Sequence, residues 1–276
     1  MTDTPETPPL DPEDQEKLPF TAHLEELRQR LIKCAVAVIA GFAACYGVSE
    51  RLFAFFVQPL VEALPEGSTL AMIRVQEGFL THLKMGFLGG ILLASPVILY
   101  QAWKFVAPGL YPHEKRYVWP FVGTATLFFF AGVTFAFTVV FPFGFKFLLG
   151  YAAGGPIQAS ISIDAYVGFA IKLLLAFGVV FELPVIVFFL AKMGLITHRT
   201  LSRNRGYALV IIFVAAAVLT PPDVVTQMMM AGPLWVLYEI SIVVARVFGP
   251  KPGDEADGQG GDENEKEPAE QGSPVG

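Results

Sequence analysis

Three acidic positions in this chain stand where a carboxylate either invites a cation or costs energy. The first is the pair Glu25 and Glu26 in HLEELRQRLIK (His23–Lys33). Ionised carboxylates only accept hydrogen bonds, so they suit a ligand that only donates. Here, however, Glu25–Arg28 and Glu26–Arg30 fall at i+3 and i+4 spacing and would stabilise a surface helix. Leu24, Leu27 and Leu31 form an apolar stripe on that helix. The spacing alone reads as an interfacial helix, with an unspent carboxylate as the functional alternative. The second position is Glu114, the lone acid of KFVAPGLYPHEKR (Lys104–Arg116). Pro108, Gly109 and Pro112 make that stretch a tight turn. Beside Lys115 and Arg116, Glu114 serves either a local ion pair or an incoming cation.

The third is Glu182, in VVFELPVIVFF (Val179–Phe189). It lies roughly 15 Å along a helix from Lys192, too deep for a glutamate to reach the interface. Inserting a charge at mid-span costs roughly 2.5–3.5 kcal/mol, so Glu182 should face protein or a wet cavity. Pro184 lacks an N–H and clashes with the carbonyl of Val180, which bends the helix. A bent span with a polar inner face predicts a concave surface, although a protonated glutamate packed between helices fits the same residues. Lys172 differs, because it lies only eight positions from Asp164 and can snorkel outward.

These residues need elements to hold them, and composition says which. Hydrophobic residues make up 54% of the 276, charged ones 16%, and mean hydropathy is +0.54. Soluble domains carry about a quarter charged residues, so the chain reads as a polytopic membrane protein. Residues 1–19 have net charge −5 and residues 250–276 net −6, which leaves the body at +5 within a total of −6. Both Pro/Gly-rich acidic ends are expected to be disordered tails. The amino terminus is acidic where a signal peptide is basic. Cys34 and Cys45 lie roughly 16 Å apart along one helix, too far for a disulfide.

Apolar windows long enough to cross roughly 30 Å of hydrocarbon fall at about 31–49, 79–103, 118–141, 165–190, 206–219 and 228–246. The fifth is short: the fifteen residues between Arg205 and Pro221 give about 22 Å of helix. With the sixth it forms a hairpin turned by TPPD (Thr220–Asp223), and its shortness implies a thinned bilayer or a shallow outer end. Six spans put the termini on one side with the 104–117 and 191–205 connections. That side carries thirteen Lys and Arg residues and the other four, Arg51, Arg74, Lys84 and Lys146. The bias predicts that both termini are cytoplasmic.

Several chemistries are not written in the sequence. It has no GxxxxGK(S/T) loop for nucleotide hydrolysis, no HExxH and no paired-cysteine spacing. It also lacks a GxSxG serine elbow. The histidines, at 23, 82, 113 and 198, are scattered near span ends and read as interfacial residues. No enzyme activity, cofactor, metal or nucleic-acid partner is expected. Transport or recognition powered from outside the chain is left.

Taken together, HLEELRQRL, PVILYQAWKFVAPGLYPHEKR, FELP and LTPPDVVTQ resemble the TatC family, over about residues 20–248 and in order. The resemblance implies an all-α, cup-shaped bundle of six transmembrane helices in the bacterial inner membrane; the acidic tails at 1–19 and 249–276 fall outside it. It implies binding of signal peptides bearing two adjacent arginines, and assembly with the single-span partners TatA and TatB in an oligomeric receptor complex. Folded proteins would then be exported by the proton motive force. Glu26 and Glu114 match the contacts to the signal arginines, with Arg28 and Phe105 beside them. Glu182 matches the polar position of the concave face, and Pro59 the outer cap in the first loop. Asp223 and Gln227 match the outer end of the short hairpin, where partner helices pack. Glu25, next to Glu26, leaves open which acid does the pairing. A proton-coupled transporter of a small solute, using Glu182, is the alternative.

Overall fold

The computed structural model describes residues 12–64, 69–106, 118–150, 160–220 and 223–249, and their side chains except at 12–22, 106 and 118. Glu114 and Pro221 lie outside the described residues, as do residues 1–11 and 250–276. Helix α1 (Pro12–Tyr46) begins inside the segment expected to be a tail; Pro12 suits a helix start, where its missing N–H costs nothing. There follow α2 (Ser49–Ala63), β1 (Thr69–Ala71), α3 (Glu77–Val106) and α4 (Val118–Phe135). A π-helical turn (Ala136–Val140) joins α4 to α5 (Phe141–Gly150). Then come β2 (Ser160–Ser162), α6 (Ile163–Val180), α7 (Leu183–Lys192), α8 (His198–Arg203), α9 (Arg205–Leu219) and α10 (Val224–Phe248).

Among the described residues, five helical stretches are long and apolar enough to cross a membrane: His23–Tyr46, Glu77–Phe105, Trp119–Gly150, Ile163–Lys192 and Val224–Phe248. Helix α9 is the short apolar one, at fifteen residues. The third stretch runs on to Gly150, past Pro142. Pro142 has no N–H for the usual i→i−4 bond. Just before it, the N–H of Phe141 reaches back five residues to the Ala136 carbonyl, so the π turn lets the helix continue.

The fourth span is broken where Pro184 predicts. α6 stops at Val180 and α7 starts at Leu183, with Phe181 and Glu182 between them. This span is the most buried, and Val167 and Ala170 on it are fully covered. Around it pack Phe56 and Leu60 of α2, Met85 of α3, Phe141 of α5 and Met230 of α10. By contrast α1 is held almost entirely by α3, where Gly41 faces Gly90. Small residues let membrane helices approach closely.

Two features were not legible as elements. The first loop, expected to carry Pro59 as a cap, is the helix α2, which buries Phe56, Pro59 and Leu60 on one face. The hydroxyl of Tyr166 donates to the Phe56 carbonyl at 2.7 Å and pins α2 to α6. Strands β1 and β2 pair in parallel, Thr69 with Ser160 through Ala71 with Ser162. Three-residue strands show no period, and these partners are about ninety residues apart, so only the folded chain brings them together.

Candidate functional site

The amino-terminal acids sit where the start of α1 meets the end of α3. Both local pairs form. Arg28 lies 3.6 Å from Glu25, to which Gln29 also donates at 3.5 Å. Arg30 donates to Oε1 of Glu26. The second oxygen, Oε2, faces Nδ1 of His23 at 3.9 Å. His23 in turn stacks on Phe105, with ring centroids 4.5 Å apart and planes at 22°. Glu26 and Phe105 are thus brought together through His23, which reads from the sequence only as an interfacial residue. The one available signal is its i−3 spacing to Glu26.

Arg28 does not join this corner. Its side chain is 72% exposed and turned to Glu25, whereas Arg30, at 11% exposed, is the arginine held by Glu26. Glu26 keeps 36% exposure, so a second donor can still reach it. A guanidinium presents a planar fork that matches a carboxylate bidentately, which an ammonium cannot do. An arginine arriving from outside must share Glu26 with Arg30 or displace it. Glu114, named with Glu26 from the sequence, lies outside the described residues; it follows Phe105 by nine positions, beyond the end of α3.

Glu182 lies far from this corner. It is 6% exposed, and its Oε1 has no hydrogen-bond partner among the described residues. The residue is therefore packed inside the chain at the α6–α7 break and does not line an open face. Desolvating an unpaired carboxylate is expensive. The break supplies no cap for it, since its side chain bonds to no backbone N–H at the start of α7.

At the far end of the bundle the matched residues are engaged within the chain. Asp223 caps α10: Oδ1 accepts the Thr226 N–H at 2.7 Å, and Oδ2 accepts the Thr226 hydroxyl. Gln227 donates to the Phe213 carbonyl at 3.0 Å and ties α10 to α9. Sequence reasoning missed Glu77, which is 3% exposed. Its two oxygens accept the Ile73 N–H at 3.1 Å and the Ser162 hydroxyl at 3.4 Å, tying the segment after β1 and the end of β2 to α3. No spacing rule links Glu77 to a serine eighty-five residues away.

The cap at Asp223 carries a pH dependence with a definite sign. The hydroxyl and then the N–H of Thr226 hold its carboxyl below the usual carboxylate range. A depressed value means that the stabilisation is complete above the ordinary pKa of about 4. It is lost as pH falls through the lowered value. Protection of the Thr226 and Gln227 amides from hydrogen exchange, taken relative to the intrinsic rate at each pH, is expected to fall in acid for the unmodified chain, and to be low already at neutral pH for Asp223→Ala. Asp223→Asn, also a good cap, should keep its protection at neutral pH and in acid alike. Equal protection in Asp223→Ala would show that the cap does not hold the hairpin.

Comparison with known proteins gives one consistent result. The family model described as Sec-independent protein translocase protein (TatC) matches residues 22–233. The chain is 51% identical over 238 residues to the Sec-independent protein translocase protein TatC of Desulforapulum autotrophicum, covering 86% of this chain and 88% of that one. To the protein of that name from Escherichia coli K12 it is 41% identical over 230 residues, covering 83% and 89%. A crystal structure of the twin-arginine translocase receptor TatC superposes with a TM-score of 0.75 at 39% identity, covering 82% of this chain and 99% of that one.

Proposed function

The chain belongs to the TatC family, multi-pass membrane components of the Sec-independent protein translocase, and from that premise we propose how it recognises its cargo. Its receptor site is the corner between α1 and α3, and the ligand is a signal peptide with two successive arginines on a folded precursor. Glu26 takes one arginine and Glu114 the other, with Phe105 as the apolar floor beside them. The observation that carries this reading is Glu26 itself. It is the half-exposed acid of the His23–Phe105 corner, fixed on one side and open on the other.

The remaining roles follow from the same reading. The excess of Lys and Arg on the side of the termini supports cytoplasmic termini and a bacterial inner membrane, so the corner faces newly made precursors. The membrane domain spans residues 20–248. Single-span TatA and TatB helices pack at the outer end of the α9–α10 hairpin near Gln227, in an oligomeric receptor complex. Export is driven by the proton motive force, in keeping with the absence of a nucleotide-binding loop. Pro59 belongs to the outer cap through α2. Glu182 serves as the polar position of the bent span.

The test removes the chain from cells and follows two things. Folded precursors with Arg-Arg signals should accumulate in the cytoplasm, while uptake of small solutes stays normal. Loss of solute uptake with intact precursor export would overturn the receptor reading in favour of a proton-coupled transporter.

A further inference from the structure

Lys172, a charged side chain inside a span, has no ionic partner among the described residues. Asp164, Gly168 and Lys172 lie at i, i+4 and i+8 on one face of α6. Lys84 of α3 crosses to this face and pairs with Asp164. Its ammonium passes over Gly168, where an added Cβ would sit 3.9 Å from Nζ. Lys172 remains exposed, and none of the described carboxylates pairs with it. Lys84, Asp164 and Lys172 together line an open recess of about 700 Å³. Phe87, Phe169 and Leu219 give it apolar walls, and Thr220 lines it as well.

The short hairpin explains why this recess exists. Leu219 and Thr220, at the end of α9, line it together with Lys172. Lys172 is nine residues into α6, about 13 Å along its axis. Helix α9 therefore ends beside the face of α6 that carries Asp164, Gly168 and Lys172. Above its end the bilayer must dip or leave a gap, because neither tilt nor length lets fifteen residues cover the full hydrocarbon. The long stem of Lys172 can carry its ammonium outward along this open recess, and the anion that a dipped leaflet places there is a lipid phosphate.

We propose that this recess, in the leaflet away from the termini, binds one anionic phospholipid. Its phosphodiester lies between Lys172 and Lys84, and its acyl chains run along Phe87, Phe169 and Leu219. Two lysines against one aspartate make the recess net +1, which matches one phosphodiester. A headgroup carrying its own amine would be repelled by both lysines, so phosphatidylglycerol is preferred over phosphatidylcholine. The recess lies at the opposite end of the bundle from the proposed receptor corner, so failure of either reading leaves the other standing.

Native mass spectrometry of the full-length chain, purified in detergent and supplied with equal phosphatidylglycerol and phosphatidylcholine, tests the proposal. The unmodified chain should retain phosphatidylglycerol preferentially, and Lys172→Gln should reduce that retention about fivefold, the effect of one lysine near an anionic lipid surface. Lys172→Arg keeps the charge and should retain the lipid. Excess inorganic phosphate should not displace it, because the acyl chains contribute to binding. Three outcomes would overturn the proposal. They are equal retention in Lys172→Gln, displacement by inorganic phosphate, and loss in Lys172→Gln of a co-purifying membrane protein with lipid retention unchanged. The last would assign the recess to a carboxylate on a partner helix.

Discussion

Replacing Gly90 with leucine is expected to remove most of the thermal stability that α1 brings to the fold. A Cβ at Gly90 would sit 2.6 Å from the Phe42 nitrogen and 2.9 Å from its Cα, while one at Gly41 would sit 2.7 Å from the Gly90 carbonyl oxygen. These neighbours are backbone, so no side-chain rotation relieves the clash. The helices must separate, and among the described residues α1 has almost no other support. Overpacking typically costs 1–3 kcal/mol, and a backbone-on-backbone contact belongs at the upper end. About 3 kcal/mol corresponds to roughly 6–12 °C in Tm for a chain of this size. The His23–Phe105 stack is made by the same two helices and should loosen with them. Gly123, whose added Cβ meets nothing within 4 Å, supplies the control: Gly123→Leu should melt close to the unmodified chain. A wild-type Tm for Gly90→Leu would mean that α1 and α3 do not cross as described.

The second large effect concerns recognition. Glu26→Ala and Glu114→Ala should each weaken binding of Arg-Arg signals, by roughly two- to fivefold for an exposed pair. The double change should abolish the preference for Arg-Arg over Lys-Lys signals. It should add little in affinity beyond the worse single change, because both arginines dock together. Arg30 gives the experiment a second arm. It already occupies Oε1 of Glu26, so it competes with the signal, and Arg30→Gln should strengthen signal binding. Purified chain in detergent, titrated with Arg-Arg and Lys-Lys signal peptides, reads both arms. If the double variant still discriminates at the unmodified level, specificity lies elsewhere. Glu25, paired to Arg28 on the next face of the helix, is then the first position to change.

Residue order alone reveals the features that depend on neighbours along the chain. The spans follow from runs of apolar residues, since hydrocarbon sets a minimum length that any crossing helix must meet. The break before Leu183 follows from Pro184, because the lost N–H and the ring clash act within four residues. The pairs Glu25–Arg28 and Glu26–Arg30 follow from one helical turn, and the short hairpin from the fifteen residues between Arg205 and Pro221. Its six-span pattern and motifs were enough to point to the TatC family, because those signals are local too.

Tertiary structure decided everything that joins distant positions. Pairing of Lys84 with Asp164 spans eighty residues, and Glu77 closes on Ser162 across eighty-five. Their spacing carries no period, so no local rule could find them. Burial was decided there as well. A glutamate beside a kink fits a wet concave surface and a packed interior equally, and only the surrounding helices place Glu182 inside. Glycines at 41 and 90 look like weak points in two helices until their backbones are seen to touch. His23 acquires its place over Phe105 only because α1 and α3 approach that closely. Local physics chooses the elements, and the contacts between them choose which polar groups are spent and which stay open.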